Sequence, residues 1–215
     1  MRAVLTRVTS ASVTIDGQVV GSIGKGFLIL LGVGPNDTAE HCKYFAQKAL
    51  GLRIFSGENI MRAVLTRVTS ASVTIDGEVA GKIGRGFLIL LGVGPNDTEK
   101  ECRYLAEKAL GLRVFTDEND KMNLGLDAIG GEVLVVSQFT LYGNCRKGRR
   151  PSFTDAAPPA LGERLYEQFL KDCADLGYPP QHGRFGADMK VASVNDGPVT
   201  ILLDTEQLMD TPRHK

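Results

Sequence analysis

Met61-Arg62-Ala63-Val64-Leu65-Thr66-Arg67-Val68-Thr69-Ser70-Ala71-Ser72-Val73-Thr74-Ile75-Asp76-Gly77 occurs twice in this 215-residue chain, reading identically at positions 1–17. Sliding the sequence by 60 positions aligns residues 1–60 with 61–120, and the two match at 46 of 60 places. Two copies fall short of the three or so that stacked repeats need, and residues 121–215 occur once. The expected organisation is a partial duplicate at 1–60, a complete unit at 61–209 and a polar tail at 210–215. A 60-residue piece leaves a strand edge and an apolar helix face uncovered, so residues 1–60 must dock, exchange with a twin or misfold, or else are a read-through ahead of a natural start at Met61.

Within the repeat, residues 63–68 and 72–75 alternate apolar and polar, and Asp76-Gly77 is a hairpin signal. Residues 87–93 form a nearly unbroken apolar run between Gly86 and Gly94-Pro95-Asn96, which suits a central strand buried on both faces. Cys102, Leu105, Ala106, Ala109 and Leu110 recur at helical spacing, and Gly111 is placed to end that helix. Thr98-Glu99-Lys100-Glu101 is a capping box; the first copy has Thr38-Ala39-Glu40-His41, so its helix should start more weakly. A strand is expected at 132–142. A helix carrying Leu161, Leu165, Phe169, Cys173 and Leu176 should follow Pro158-Pro159, and two strands at 189–194 and 199–203 should close the unit. The class is mixed α/β with more strand than helix.

Lysine plus arginine equals aspartate plus glutamate at 25 each, so no overall basic field points to RNA coating. Recognition of an RNA end by shape and stacking stays open. Cys42, Cys102, Cys145 and Cys173 lack the close spacing of metal or redox motifs and read as reduced thiols. No apolar run reaches the roughly 18–20 residues that span a bilayer, and Thr6, Arg7 and Thr9 stand where a signal peptide would be apolar; a cytoplasmic protein without membrane partners is expected.

A histidine-based triad would have to rest on His182, because His41 lies in the partial copy and His214 in the tail. Clustered metal ligands are missing from the pattern, so neither metal nor cofactor is expected. Gly81, Gly84 and Gly86 read as turn glycines. Arg146-Lys147-Gly148-Arg149-Arg150 is either a solvated loop or an RNA-phosphate contact. Two segments combine apolar strand with small polar groups: Val135-Val136-Ser137-Gln138-Phe139-Thr140-Leu141, and Val194-Asn195-Asp196-Gly197-Pro198-Val199-Thr200. Taken bare, the first is strand alternation and the second a tight turn.

These segments, with Gly-Arg-Phe-Gly-Ala-Asp-Met ending at Met189, Arg150-Pro151-Ser152-Phe153 and the start at Met61, resemble the D-aminoacyl-tRNA deacylase family over 61 to about 205. Its signatures Ser-Gln-x-Thr and Asn-x-Gly-Pro-x-Thr stand intact at 137–140 and 195–200, and neither exists in the first copy. The resemblance implies a three-layer α/β/β fold and hydrolysis of the ester of D-aminoacyl-tRNA, with mischarged glycyl-tRNA as a further substrate. It implies a homodimer in which a cis Gly197-Pro198 enters the partner's pocket, where main-chain carbonyls hold the ammonium and exclude an L side chain. Arg67 would fix that loop. Backbone N–H groups near Ser137, Gln138 and Phe139, with the 2′-hydroxyl of the terminal adenosine, would serve the oxyanion and an activated water, with Thr140 positioning. Phe139, Phe185 and Met189 would wall the adenosine, and Asn195 and Thr200 complete the binding set. The alternative is a non-catalytic module that holds tRNA ends or a synthetase.

Overall fold

The computed structural model describes residues 2–8, 10–24, 26–50, 60–146 and 149–209. The expected tail at 210–215, His214, and Lys147 and Gly148 of the basic cluster lie outside the described residues. The chain divides into two compact units, Met1–Gly57 and Glu58–Lys215.

The first unit holds β1 (Arg2–Val8), β2 (Ala11–Ile15), β3 (Gln18–Ile23), β4 (Gly26–Gly32) and α1 (Ala39–Leu50). β1 pairs antiparallel with β4, and β2 with β3 through Asp16-Gly17, both in left-handed backbone. The start of α1 keeps a reciprocal cap after all: His41 Nδ1 accepts the Thr38 amide at 3.2 Å, and the His41 amide donates to Thr38 Oγ1 at 3.5 Å. The His41 imidazole stands where Glu101 stands in the second copy.

The second unit comprises β5 (Arg62–Ile75), β6 (Glu78–Ile83), β7 (Gly86–Gly92), α2 (Glu99–Leu110), β8 (Phe115–Thr116), β9 (Met122–Leu124), α3 (Leu126–Ile129) and β10 (Glu132–Ser137). A 3-10 turn, Phe139–Tyr142, follows, then α4 (Pro159–Asp175), β11 (Gln181–His182), β12 (Lys190–Asp204) and α5 (Thr205–Met209). One mixed sheet runs β11-β10-β7-β5-β12, with β6 on β5; β10 lies parallel to β7 and β11, and the remaining pairs are antiparallel. The apolar run forms the central β7, as its composition requires.

Each face of this sheet carries its own core. On one, Leu65, Ile89 and Val135 pack with Cys102, Leu105 and Ala109 of α2 and Leu165, Phe169 and Cys173 of α4. On the other, Val73 and Ile83 of the β5–β6 hairpin fold over Leu88, Leu134 and Val136. Helices, central sheet and hairpin make the three layers of a mixed α/β fold. The burial of identical sequence differs sharply between copies: Val73, Ile89 and Leu91 are at most 1% exposed, whereas Val13, Ile29 and Leu31 are 51%, 44% and 53% exposed.

Several expected elements are redrawn. The segments 63–68 and 72–75 are one strand, β5, in which pairing to β12 steps over Thr69: Ser70 opposes Val194 and Val68 opposes Asn195. The strand expected at 132–142 ends at Ser137, because the chain turns into 3-10 geometry. The two closing strands are one β12 interrupted by a bulge. Gly111 does end α2, but at φ −81° and not left-handed. Gly81 and Gly86 are close-contact glycines inside strands: a Cβ at Gly86 would stand 1.8 Å from the Glu132 carbonyl oxygen, and one at Gly81 3.0 Å from that of His182.

Candidate active site

β10 and β7 run parallel and end together, and the chain leaving β10 at Ser137 closes over that end. The Gln138 amide donates to the Leu91 carbonyl at 2.7 Å, continuing the ladder one residue before the 3-10 turn begins. Behind this turn lies a cavity of about 380 Å³, lined by Leu91, Val93, Ser137, Gln138, Phe139, Phe153, Ala156, Ala157, Pro159, Gly162, Tyr166, Phe185 and Gly186. Most of this surface is apolar, as in ligand pockets generally. Phe139, 58% exposed, meets Phe153 edge-on at 5.2 Å, forming one lip. Phe185 packs at 6.1 Å from Tyr166, whose hydroxyl donates to the Val135 carbonyl at 3.0 Å. Burial raises the Tyr166 phenol above its ordinary range, so it acts here as a neutral donor.

Four of the expected residues, Ser137, Gln138, Phe139 and Phe185, thus share one cavity. Thr140 is joined to it through the Gln138 side-chain amide, which donates to the Thr140 hydroxyl. Of the backbone donors expected at 137–139, the Gln138 amide is already committed to Leu91. The Phe139 amide opens the 3-10 turn, where no carbonyl of the turn can accept it. Met189 lies elsewhere, packed against the hairpin core just ahead of β12, and does not line the cavity. His182 is also absent from the lining; its Nδ1 is 2.8 Å from the Gly183 carbonyl.

A second constellation sits on β12. Asn195 opposes Val68 and Thr200 opposes Thr66, so residues 196–199 bulge out opposite the single residue Arg67. Arg67 is 7% exposed, and its guanidinium lies beneath the bulge, against the loop it is expected to fix. Arg67 Nε donates to the Asp196 carbonyl at 3.0 Å and lies 3.2 Å from the Asp196 carboxylate, and Nη1 donates to the Val114 carbonyl at 2.6 Å. Gly197 has φ +120° and could not gain a Cβ without meeting Arg67 Nη2 at 2.9 Å, and the Gly197–Pro198 peptide is cis. Asn195 accepts from the Ser193 hydroxyl at 2.9 Å, and the Thr200 and Thr66 hydroxyls lie 3.3 Å apart. Gly197 and Pro198 are exposed, and none of residues 195–200 lines the cavity of their own chain.

Sequence reasoning missed the far wall formed by Phe153, Ala156, Ala157, Gly162 and Tyr166. Two signals were available: Arg150-Pro151-Ser152-Phe153 carried no role, and Gly162 is a glycine inside a helix. A Cβ at Gly162 would stand 3.0 Å from Phe185 Cζ. Among the described residues no group of three or more His, Cys, Asp or Glu could hold a metal ion, and no helix is long and apolar enough to cross a membrane.

Comparison with known proteins defines the chemistry. A D-aminoacyl-tRNA deacylase of Desulfatibacillum aliphaticivorans is 58% identical over 146 residues, covering 68% of this chain and 100% of the relative. One from Roseiflexus castenholzii is 57% identical over 155 residues, covering 72% and 98%. A solved structure described as a c-Myc DNA unwinding element binding protein superposes with a TM-score of 0.63 at 44% identity, covering 66% of this chain and 97% of its own. That of a probable eukaryotic D-amino acid tRNA deacylase, at 18% identity and a TM-score of 0.60, shares the fold. A hydrolase acting on aminoacyl-tRNA, built on a mixed α/β fold, is the class that these relatives define. The description "D-Tyr-tRNA(Tyr) deacylase" matches residues 4–63 and again 64–204, and the chain belongs to that family. Its reaction is hydrolysis of the ester that links a D-amino acid to tRNA.

Proposed function

We propose that this enzyme works as a homodimer in which residues 196–199 of each protomer enter the Phe139–Phe185 cavity of the other and read the handedness of the aminoacyl group. The carrying observation is the bulge itself: four residues opposite one on an edge strand, anchored by a buried arginine, with Gly197 and Pro198 exposed and none of the four lining the cavity of their own chain. The same edge exposes Val194 and Leu202, 58% and 63%, which a second copy would cover.

In this reading the terminal adenosine of tRNA packs between Phe139 and Phe185, and carbonyls of the partner's bulge hold the α-ammonium. An L side chain would strike that rigid backbone, whereas a D side chain points away and glycine has nothing to exclude. Water then adds to the ester carbonyl, and the Phe139 amide and the adenosine 2′-hydroxyl stabilise the oxyanion before the ribose oxygen leaves with a proton. Thr140, tied to Gln138, positions this strand end. Asn195 and Thr200 brace the bulge, Met189 supports it through the hairpin core, and Arg146, Arg149 and Arg150, all exposed, contact RNA phosphates. The enzyme proofreads charged tRNA in the cytoplasm, with residues 61–209 as the complete catalytic domain.

Purified protein should deacylate D-aminoacyl-tRNA and glycyl-tRNA and spare the L form. Equal rates on both enantiomers would remove the exclusion mechanism. Hydrolysis unchanged by Gly197→Ala would remove the bulge from it.

A further inference from the structure

We propose that the working form of this enzyme begins at Met61, whose free α-ammonium completes a cation site built around the buried carboxylate of Asp97. Asp97 is 3% exposed; its Oδ2 accepts the Gly94 amide at 2.6 Å, and its Oδ1 has no hydrogen-bond partner. A buried carboxylate oxygen left unpaired is costly, and a full positive charge is what offsets it best.

The chain around residue 61 closes on the same spot. A Cβ placed on Gly94 would lie 3.0 Å from the Ile60 carbonyl oxygen, 3.2 Å from Asp97 Oδ2 and 3.4 Å from the Tyr142 hydroxyl. The Tyr142 hydroxyl donates to the Ile60 carbonyl, and the Met61 amide donates to Thr205 Oγ1 at 2.9 Å. As a peptide nitrogen residue 61 offers one hydrogen, which Thr205 takes; as an ammonium it offers three and a charge.

The charged groups facing Asp97 do not supply that charge. Glu101 of α2 caps the Thr98 amide at 2.9 Å, and Asp204 at the end of β12 is held by Arg62 at 3.0 Å, so the nearby cation is already engaged. Burial pushes the Asp97 carboxyl up to about 6, as expected of a carboxylate without a cation of its own. Because Met61 is fully buried, a protease would not reach its peptide bond in the folded protein; synthesis starting at this methionine supplies the terminus directly.

The test compares the full chain with residues 61–215, each with and without Asp97→Asn. The shorter chain holds every residue of both cores, and the Desulfatibacillum relative is a whole protein within 146 aligned residues. In the shorter chain the Met61 α-amino group, followed by NMR of selectively labelled methionine, should titrate at least about one unit above the ordinary 7.7–8.0, a roughly tenfold tighter proton. Asp97→Asn should abolish that shift and lower the urea midpoint of the shorter chain, while raising the midpoint of the full chain. The intact mass of protein from its own cells should correspond to a start at Met61. An ordinary α-amino titration, Asp97→Asn moving both chains in the same direction, or a native mass that includes residues 1–60 would each overturn the proposal.

Discussion

Replacing Arg67 by alanine removes three contacts at once: the Asp196 carbonyl at 3.0 Å, the Asp196 carboxylate at 3.2 Å and the Val114 carbonyl at 2.6 Å. A hydrogen bond to a charged group is worth roughly 1.5–3 kcal/mol, and truncating one partner of a buried pair costs about 3–5 kcal/mol. The Asp196 side chain is 31% exposed and regains water, so the lower end applies: about 3 kcal/mol of stability, on the order of 100-fold in the folding constant. Without its anchor the bulge also loses its position, and a displacement of about 1 Å at a reacting geometry can lower the rate on the order of 100-fold. Arg67→Lys should recover part of the stability and little activity, because one ammonium cannot span the carbonyls of Val114 and Asp196 as the planar fork does. Urea denaturation, with hydrogen exchange assigning the transition to β5 and β12, measures the first effect, and deacylation of D-aminoacyl-tRNA the second. A stability loss below about 0.5 kcal/mol with full activity would refute the anchoring role of Arg67.

Gly86→Ala should prevent the second unit from folding, since its Cβ would stand 1.8 Å from the Glu132 carbonyl oxygen within the β7–β10 pairing; soluble yield and circular dichroism report this. Burial lifts the Asp97 carboxyl from 3.8 to about 6, so the folded chain holds that proton more tightly than the unfolded one. Its stabilising contribution is therefore full below about pH 4 and lost as pH rises towards 6; in the full chain Asp97→Asn should flatten that slope and add on the order of 1–3 kcal/mol at pH 7, read by denaturation across pH. Leu202→Lys puts a charge on the exposed edge of β12 and should shift sedimentation from dimer to monomer with loss of hydrolysis, whereas an unchanged dimer would place the interface elsewhere.

The fold was legible where one physical signal dominated. The run at 87–93 suited a buried central strand, the Thr98–Glu101 box opened its helix, and Pro158-Pro159 announced α4. Strand irregularities were not legible, because the step over Thr69 and the bulge at 196–199 depend on partner strands distant in sequence. Alternation alone does not show how Arg67 is buried, because the bulge that covers it comes from residues 129 or more positions away. The cavity was half visible: its near lip lies in a motif of small polar residues, while the far wall comes from 153–166, where a loop and a helix start show no strand period. Identical sequence bears opposite burial in the two copies because β10, α4 and β12 exist only once.

The reading of the site rests on bulge and cavity belonging to different chains, and mixed dimers test this directly. Gly197→Ala disables the bulge, and Gly162→Leu fills the cavity beside Phe185; each alone should be inactive. Combined in one heterodimer, the first supplies an intact cavity and the second an intact bulge, so one of two sites should work and deacylation should return to about half the parent rate per dimer. If the verified heterodimer stays as inactive as either parent variant, the site lies within a single chain and the account fails.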